Sequence, residues 1–277
     1  MSSGPQERAA DGGRNFPGLD TTVANPARVW NYWVGGKDNF AVDREAGEQV
    51  LKLLPAMPMI ARYARRFLLD AVRRLSADYG VRQFLDIGTG LPTADNTHDV
   101  AQRIAPESRI VYVDNDPVVL THARALLTSS PEGETDYVAA DLRDTATILA
   151  GAEQTLDFTQ PVAVLLIAIL HFIPDDEDPY GIVNRLMDAV PSGSYLTICH
   201  AASDINAEAV AEGMGLYNEK SSTPITMRTR AQVTRFFDGL DLVEPGVVPL
   251  DEWWAPGEVE PGAVGMLSGY AGIARKR

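Results

Sequence analysis

The spacing of apolar and polar residues along the chain changes near Gly80. Before that point, apolar side chains recur every three or four residues, which is the period of an amphipathic helix. Between Met59 and Val72 this spacing places seven residues on one face: Ile60, Tyr63, Ala64, Phe67, Leu68, Ala71 and Val72. The segment from Pro26 to Tyr79 is therefore predicted to be helical.

After Gly80, short apolar runs alternate with helical patterns, which is typical of a parallel sheet with helices on both faces. The apolar runs predict seven strands, at residues 83–87, 110–114, 136–139, 162–170, 194–200, 240–249 and 267–274. Helices are predicted between them at 117–127, 180–190 and 230–237, among others. Thr229 is a candidate N-cap for the last of these helices.

These patterns predict an α/β fold. The sheet is expected to be doubly wound, Rossmann-like, seven-stranded and mostly parallel, with an N-terminal helical cap beside it. The last two predicted strands follow each other without a full helix between them. One antiparallel strand is therefore expected near the edge of the sheet.

The chain is expected to divide into an arm, a cap and a core. Residues 1–24 are polar and lack periodicity, which predicts a disordered or loosely attached arm. Residues 25–79 form the predicted helical cap or lid, and residues 80–277 form the predicted core. No Pro- or Gly-rich linker separates cap from core, so they are expected to form one structural domain.

Composition restricts the class of partner. The chain has 24 basic and 38 acidic residues, a formal net charge of −14, which disfavours binding to nucleic acid or to anionic membranes. One cysteine and four histidines without ligand spacing predict neither a disulfide framework nor a metal site. The longest apolar run, 162–170, is far shorter than the roughly 20 residues that span a bilayer. A cytoplasmic protein is expected.

The most informative motif follows the first predicted strand. Asp86, Gly88 and Gly90 form an Asp-x-Gly-x-Gly sequence, in which glycines let the backbone approach a ligand. Asp114 ends the next predicted strand, and an acid at about this distance after a glycine loop can accept hydrogen bonds from both ribose hydroxyls of a nucleoside. The two strands therefore predict a nucleoside site at their carboxyl ends.

Further residues distinguish between nucleoside cofactors. A dinucleotide fingerprint requires a third glycine where this chain has Thr93. Asp86 would repel a pyrophosphate, whereas it suits the ammonium and sulfonium groups of S-adenosylmethionine. Asp141, at the end of the third predicted strand, can accept a hydrogen bond from an adenine amino group.

With these motifs in order, the chain from about residue 80 resembles the class I S-adenosylmethionine-dependent methyltransferases. The resemblance implies S-adenosyl-L-methionine as cofactor and implies eight cofactor-binding residues: Asp86, Gly88, Thr89, Gly90, Asp114, Asn115, Asp141 and Leu142. Pro92 departs from the pattern because it stiffens a loop that many members leave to glycine. Residues 28–44 and 236–246 also resemble an actinobacterial methyltransferase-like family labelled domain of unknown function 574. That resemblance implies a fold and a cofactor without supplying a substrate.

Each acid also has a structural alternative. Asp86 can cap the backbone amides of its own loop, and Asp141 can be a turn acid at the surface. Asp114 can N-cap the helix that begins at Pro117, although Asp116 is better placed for that role. Asn96 and His98 are interpreted as capping residues of the next helix, with contact to an acceptor as the alternative.

Two histidines are candidates for chemistry. His171 is predicted to end the fourth strand, at the edge of the cleft, where it would be a general base or an acceptor-binding residue. A structural histidine satisfied by its neighbours is the alternative. His200, at the end of the fifth predicted strand, carries a weaker version of both interpretations.

Residues 28–43 combine aromatic and polar side chains around a glycine turn. They are interpreted as a lid in which Lys37, Asp38 and Asn39 face the cofactor or the acceptor. Tyr32 is a further candidate, because it or a neighbouring tryptophan can face a sulfonium through a cation–π contact. The alternative is a cap whose aromatic side chains simply pack on the sheet.

The sequence predicts transfer of a methyl group from S-adenosylmethionine to a small-molecule acceptor. Two other functions remain open. A non-catalytic binding protein would keep the cofactor motifs without acceptor chemistry. A nicotinamide-dependent oxidoreductase is the third possibility, which Thr93 and Asp86 disfavour. The sequence leaves the acceptor and the oligomeric state undetermined.

Overall fold

The computed structural model of the protein describes residues 20–92, 95–126, 128–220 and 223–277. Residues 1–19 of the predicted arm, Thr93 and the predicted helix end at Leu127 lie outside the described residues. Within the described part, no helix is both long enough and apolar enough to cross a bilayer.

The cap consists of three helices, which confirms the helical pattern before Gly80. They are α1 (Pro26–Trp33), α2 (Ala41–Leu53) and α3 (Met57–Ala77). Six of the seven residues predicted on one face of α3 are buried, and Ile60 is half-buried. That face packs on the sheet, in one apolar cluster with the strand residues Phe84 and Ile110. The period of the apolar residues therefore determines how α3 is oriented.

The sheet contains eight strands among the described residues. They are β1 (Gln83–Ile87), β2 (Arg109–Asp114), β3 (Glu134–Ala139), β4 (Ala163–Ile167), β5 (Tyr195–Ala201), β6 (Asp241–Leu242), β7 (Val248–Pro249) and β8 (Gly269–Arg275). The order is β3-β2-β1-β4-β5-β8-β6, with β7 also paired to β8. Strands β1 to β5 are parallel, and β8 runs antiparallel to β5, β6 and β7.

The doubly wound class and the antiparallel strand near the edge are confirmed, with eight strands among the described residues where seven were predicted. The predicted strand at 240–249 is divided into β6 and β7. Gly246 has a φ of 87° and donates its N–H to the Val243 carbonyl over 2.8 Å, which forms a turn between them. Pro245 lacks the N–H that a continuous strand would need there.

Helices cover both faces of the sheet. The remaining helices are α4 (Thr97–Ile104), α5 (Pro117–Leu126), α6 (Thr145–Ala152), α7 (Pro179–Ala189), α8 (Ala207–Lys220) and α9 (Arg230–Thr234). The predicted helix 230–237 ends as α-helix at Thr234 and continues as a 3₁₀ turn to Phe237, with Thr229 as its N-cap as predicted.

The strand order reverses between β1 and β4: from β1 the chain continues to β2 and β3 on one side, and β4 and β5 lie on the other side. In open α/β sheets this reversal opens a crevice at the carboxyl ends of the strands. β4 ends at Ile167, earlier than the predicted 170, and residues Leu170–Phe172 form a 3₁₀ turn. His171 therefore lies beyond the strand, in a turn that borders this crevice.

Candidate active site

A cavity of about 420 Å³ lies at the carboxyl ends of β1, β2, β3 and β4. We call it the strand-end cavity. All eight predicted cofactor-binding residues line it: Asp86, Gly88, Thr89, Gly90, Asp114, Asn115, Asp141 and Leu142. Three separate strand ends thus bring their motifs to one cavity, because parallel strands point their carboxyl ends to the same edge.

The glycine loop is held against β2 by its backbone. The N–H groups of Gly88 and Thr89 donate to the Val113 carbonyl over 2.8 and 3.3 Å. Both glycines have positive φ, 76° for Gly88 and 65° for Gly90, a conformation that favours glycine. A Cβ on Gly88 would lie 2.7 Å from the Ile169 side chain, whereas a Cβ on Gly90 would meet nothing within 4 Å. Gly88 therefore makes room for Ile169, and Gly90 leaves space open beside the cavity.

Asp114 is held by backbone donors on both of its oxygens. Oδ2 accepts from the Gly90 N–H and Oδ1 from the Asp116 N–H, each over 2.9 Å. The side chain of Asp116 accepts from the Val118 N–H over 2.7 Å, so Asp116 caps α5 as predicted. Burial raises the pKa of Asp114 to about 6, although these backbone hydrogen bonds oppose the shift.

Asp86 is buried and accepts a hydrogen bond from the Thr97 hydroxyl over 2.6 Å. Burial raises its pKa, and the nearby guanidinium of Arg65 opposes that shift. Arg65 extends from α3 into the lining of the same cavity and also donates to the Asp95 carbonyl and to Asn96 Oδ1. Asn96 caps α4 in a capping box with Asp99, as predicted.

Arg65 is not among the site residues predicted from the sequence. Its Nε is buried without a hydrogen-bond partner in the described part of the chain. The signal available was an arginine directly beside the apolar face of α3, between Ala64 and Leu68, which both line the cavity. The acid Asp86 and the base Arg65 therefore lie near each other in the wall of the strand-end cavity.

Asp141 lies just after β3 and lines the same cavity. Its Oδ1 accepts from the backbone N–H of Arg143 over 2.9 Å, and its Oδ2 accepts from Asn115 Nδ2 over 3.1 Å. Burial raises the pKa of Asp141, but the hydrogen bonds from Arg143 outweigh it, and the pKa is lowered overall. Asp141 is therefore an ionised acceptor at neutral pH, with part of its carboxylate already engaged.

A second cavity, of about 380 Å³, adjoins the first. We call it the apolar cavity. The two cavities share five lining residues: Pro26, Trp30, Ala64, Ala168 and Phe172. Ala168 has a φ of 56° and donates its N–H to the Cys199 carbonyl over 2.9 Å. A non-glycine residue in this left-handed region costs about 1–2 kcal/mol, and such strain clusters at functional sites.

His171 lines the apolar cavity and is buried. Its Nδ1 has no hydrogen-bond partner among the described residues. Burial, with a smaller effect of the Arg228 charge, lowers the pKa of His171 to about 3. The ring is therefore neutral at physiological pH and offers hydrogen bonds rather than a strongly basic nitrogen.

His200, in β5, is satisfied on both ring nitrogens. The Arg228 guanidinium donates to Nε2 over 2.8 Å, so Nδ1 carries the proton and donates to the Ala201 carbonyl over 2.8 Å. Burial lowers the pKa of His200 well below its usual value. Of the two interpretations of His200, this geometry supports the structural one. His98 is likewise engaged, through its backbone N–H and Nδ1, with the Tyr112 hydroxyl.

The four predicted lid residues, Tyr32, Lys37, Asp38 and Asn39, line neither cavity. Asn39 Nδ2 instead donates to Asn31 Oδ1 over 2.9 Å and to the Gly36 carbonyl over 3.0 Å, which stabilises the loop itself. The expectation that these side chains face the cavities does not hold in this structure. The cap reaches the cavities through other residues of α1 and through α3; among them, Trp30 lines both cavities.

The cap is anchored to the turn that follows Asp114. Arg28 is buried, and its Nε lies 3.3 Å from Asp43 Oδ2 and 3.8 Å from Asp116 Oδ2. Asp43 in turn accepts from the N–H groups of Asn25 and Phe40, each within 2.9 Å. The position of α1 above the cavities is thus linked electrostatically to the end of β2.

A family model described as S-adenosyl methyltransferase matches residues 13–277. The chain belongs to this family. S-adenosylmethionine is accordingly its cofactor, and the methyltransferase resemblance inferred from the motifs is confirmed. No curated protein matches the chain.

Two solved structures are similar over nearly their whole length. A family member of the domain of unknown function 574 from Streptomyces avermitilis is 44% identical, with a TM-score of 0.89, and the match covers 93% of this chain and 99% of that one. A candidate methyltransferase from Thermobifida fusca is 38% identical, with a TM-score of 0.85, and the match covers 94% and 98%. Both confirm the family fold.

Proposed function

We propose that the chain is an active methyltransferase that binds S-adenosylmethionine in the strand-end cavity and methylates a small molecule held in the apolar cavity. The observation that carries the proposal is the shared wall of the two cavities, where Trp30, Ala168 and Phe172 face both. When bound, S-adenosylmethionine supplies an electrophilic methyl group on a sulfonium sulfur.

The residues of the strand-end cavity fit this cofactor. Asp114 would accept hydrogen bonds from the ribose hydroxyls, since its carboxylate is fixed by Gly90 and Asp116 and lines the cavity. Each hydrogen bond to an ionised group contributes roughly 1.5–3 kcal/mol. Asp141 would accept from the adenine amino group, with Leu142 packing against the ring.

The amino-acid part of the cofactor is a zwitterion and needs both charges matched. Asp86 would bind its ammonium, and Arg65, beside it, would bind its carboxylate. The open space beside Gly90 leaves room for the chain that joins the two ends. This pairing explains why an acid and a base lie beside each other in one cavity.

The protein's own contribution to transfer is alignment in a dry site. The apolar residues at the shared wall exclude water, and a fixed geometry of two reactants lowers the barrier by several kcal/mol. His171 would bind the acceptor by a hydrogen bond, because its lowered pKa favours this role over that of general base. The inferred setting is the cytoplasm, with no nucleic-acid or membrane partner.

Calorimetric titration with S-adenosylmethionine, S-adenosylhomocysteine and NAD tests the cofactor assignment. We expect the first two to bind and NAD not to bind, and we expect Arg65→Met to weaken both about tenfold. Arg62→Met is the matched control, because Arg62 is exposed on the same helix and lines neither cavity. Binding of NAD in preference to S-adenosylhomocysteine contradicts the assignment.

Catalysis requires a separate measurement. Incubation with methyl-labelled cofactor and a small-molecule extract of an actinobacterium is expected to give S-adenosylhomocysteine and a labelled product that depend on the protein. Cofactor binding without any labelled product from such extracts would favour the non-catalytic alternative.

A further inference from the structure

The apolar cavity carries no charge among the described residues that line it. Aliphatic and aromatic side chains form most of its wall, including Trp33, Leu54, Met57 and Ile60. None of the described lining residues is Asp, Glu, Lys or Arg. This contrasts with the strand-end cavity beside it, which is lined by three aspartates and two arginines: Asp86, Asp114, Asp141, Arg65 and Arg143.

The polar residues in the wall of the apolar cavity are neutral or already engaged. Both ring nitrogens of His200 are hydrogen-bonded, and Asn206 Nδ2 donates to the Gly265 carbonyl over 2.6 Å. Burial raises the pKa of the Cys199 thiol to about 12, so it is uncharged. His171 is neutral as well, and its Nδ1 is buried without a partner in the described residues.

These surroundings penalise a charged occupant of either sign. Removing an ion from water without a counter-charge costs several kcal/mol even after relaxation. The tryptophan faces could attract a cation, yet a cation–π contact contributes only about 0.5–2 kcal/mol and replaces little of the lost hydration. An uncharged ligand avoids this cost and gains from contact with the apolar wall.

We propose that the acceptor bound in the apolar cavity is an uncharged, largely apolar small molecule that places one hydroxyl or N–H group near His171. The cavity volume of about 380 Å³ lies within the usual range for drug-sized ligands, roughly 300–1,000 Å³. A neutral imidazole offers one lone pair and one N–H, so a hydroxyl or amine can be satisfied there. This inference rests on the proposed function, because it specifies the substrate class of that site.

A matched set of fluorescent probes tests the charge preference. N-phenyl-1-naphthylamine is neutral, its 8-sulfonate is the anionic counterpart, and N-(1-naphthyl)ethylenediamine is cationic at neutral pH. We expect the protein saturated with S-adenosylhomocysteine to bind the neutral probe at least tenfold more tightly than either charged one. Equal or tighter binding of a charged probe, or no binding of the neutral one, overturns the proposal.

Variants locate the probe. Trp33 lines only the apolar cavity, so Trp33→Ala is expected to weaken the neutral probe at least tenfold while the affinity for S-adenosylhomocysteine stays unchanged. Tyr32, on the same helix, lines neither cavity, so Tyr32→Ala is expected to change neither affinity. Met57→Lys is expected to shift the preference toward the sulfonate. Unchanged probe binding in Trp33→Ala places the probe elsewhere and overturns the proposal.

The two proposals fail in different ways. Absence of S-adenosylhomocysteine binding contradicts the proposed function, whereas the probe titrations, repeated on the free protein, still decide the charge preference. Normal S-adenosylhomocysteine binding together with tight binding of a charged probe contradicts the acceptor class alone.

Discussion

The guanidinium of Arg228 donates a hydrogen bond from Nη1 to Nε2 of His200 over 2.8 Å, in the interior of the protein. Arg228 is fully buried and also donates to the carbonyls of Leu170 and Ile173, over 3.2 and 2.8 Å. Its Nη2 lies 2.7 Å from Asp175 Oδ1. One side chain thus fixes both the tautomer of His200 and the turn that carries His171.

Replacement of Arg228 is expected to destabilise the protein strongly. Arg228→Met would leave the buried Ile173 carbonyl and Nε2 of His200 without the donors they have here, and the Leu170 carbonyl with only the Ile173 N–H, which corresponds to a loss of about 3–5 kcal/mol. Arg235→Met is the matched control, because Arg235 is exposed and stacks over Tyr180, a contact that contributes roughly 0.5–1 kcal/mol. Urea unfolding of both variants measures the difference. Similar, small losses in the two variants would show that the Arg228 network contributes little.

The lowered pKa of His171 predicts a dependence of stability on pH. In the unfolded chain the histidine binds a proton below about 6.5, whereas in the folded protein it stays neutral down to about 3. Stability from this residue is therefore complete above pH 6.5 and falls by about 1.4 kcal/mol for each pH unit below it. His171→Asn is expected to make the unfolding free energy fall less steeply between pH 6 and 5. Parallel slopes in the two proteins would contradict a buried neutral His171.

The raised pKa of Asp114 acts on stability with the opposite sign. Because the folded protein holds this proton more tightly than the unfolded chain, stability from Asp114 is present at low pH and is lost as the pH rises through about 6. The wild-type pH profile therefore combines opposing contributions, and only the difference between wild type and His171→Asn isolates the histidine.

The affinity for the cofactor is also expected to depend on pH through the ionisation of Asp114. The ionised carboxylate is the form that accepts from two ribose hydroxyls, so the affinity for S-adenosylhomocysteine should be constant above pH 7 and fall as the pH drops through about 6. Asp114→Asn should bind at least tenfold more weakly at pH 7.5, with a flatter profile. Asp141→Asn is the control for the pH dependence. Because the lowered pKa of Asp141 leaves it ionised across this range, this variant should keep the fall in affinity near pH 6. A pH profile of calorimetric affinities that is unchanged by Asp114→Asn would exclude Asp114 from the ribose site.

The grouping of the predicted cofactor-binding residues in one cavity could be predicted from the sequence because of how parallel sheets are built. An Asp-x-Gly-x-Gly motif and an acid, each at the carboxyl end of a parallel strand, converge wherever those strands are neighbours. Arg65 could not be placed in the same way. Its approach to Asp86 depends on how α3 is rotated and positioned over the sheet. That position is decided by the packing of α3 against residues that are far from it in the sequence.

The position of the four predicted lid residues, which line neither cavity, could not be predicted for a different reason. The polar side chains after α1 satisfy one another, as Asn39 does with Asn31, so their presence among aromatic residues reflects loop structure. The sequence pattern could not distinguish this internal hydrogen bonding from contact with a ligand. Trp30, which does face both cavities, was considered only as one of three aromatic candidates.

Alanine variants of two glycines with a similar positive φ can distinguish an effect on cofactor binding from an effect of backbone strain. Gly90 has a φ of 65° and Gly80 a φ of 68°, and an added Cβ would meet nothing within 4 Å at either position. Alanine should therefore cost about 1–2 kcal/mol at both. Only Gly90→Ala adds a methyl group in the wall of the strand-end cavity, so it alone should weaken S-adenosylhomocysteine binding, by about tenfold. Equal affinities of the two variants in calorimetry would show that the loop only turns the chain.

The role of the cap is best tested at Trp30, because its large side chain in α1 lines both cavities. Trp30→Ala is expected to weaken S-adenosylhomocysteine severalfold and the neutral probe of the apolar cavity as well, since a shared wall is removed. Asp38→Ala is the control: the Asp38 side chain is 41% exposed and lines neither cavity, and surface changes usually alter stability by less than about 0.5 kcal/mol.

Hydrogen exchange shows whether the cap closes over the ligand. If α1 moves onto the bound cofactor, S-adenosylhomocysteine should slow exchange across Pro26–Trp33 as well as in the loop at 86–92, and it should do so in Asp38→Ala but less in Trp30→Ala. The ion pair of Arg28 with Asp43 and Asp116 would transmit the same protection to the turn after β2. Protection confined to the glycine loop, together with normal binding by Trp30→Ala, would return the cap to a purely structural role.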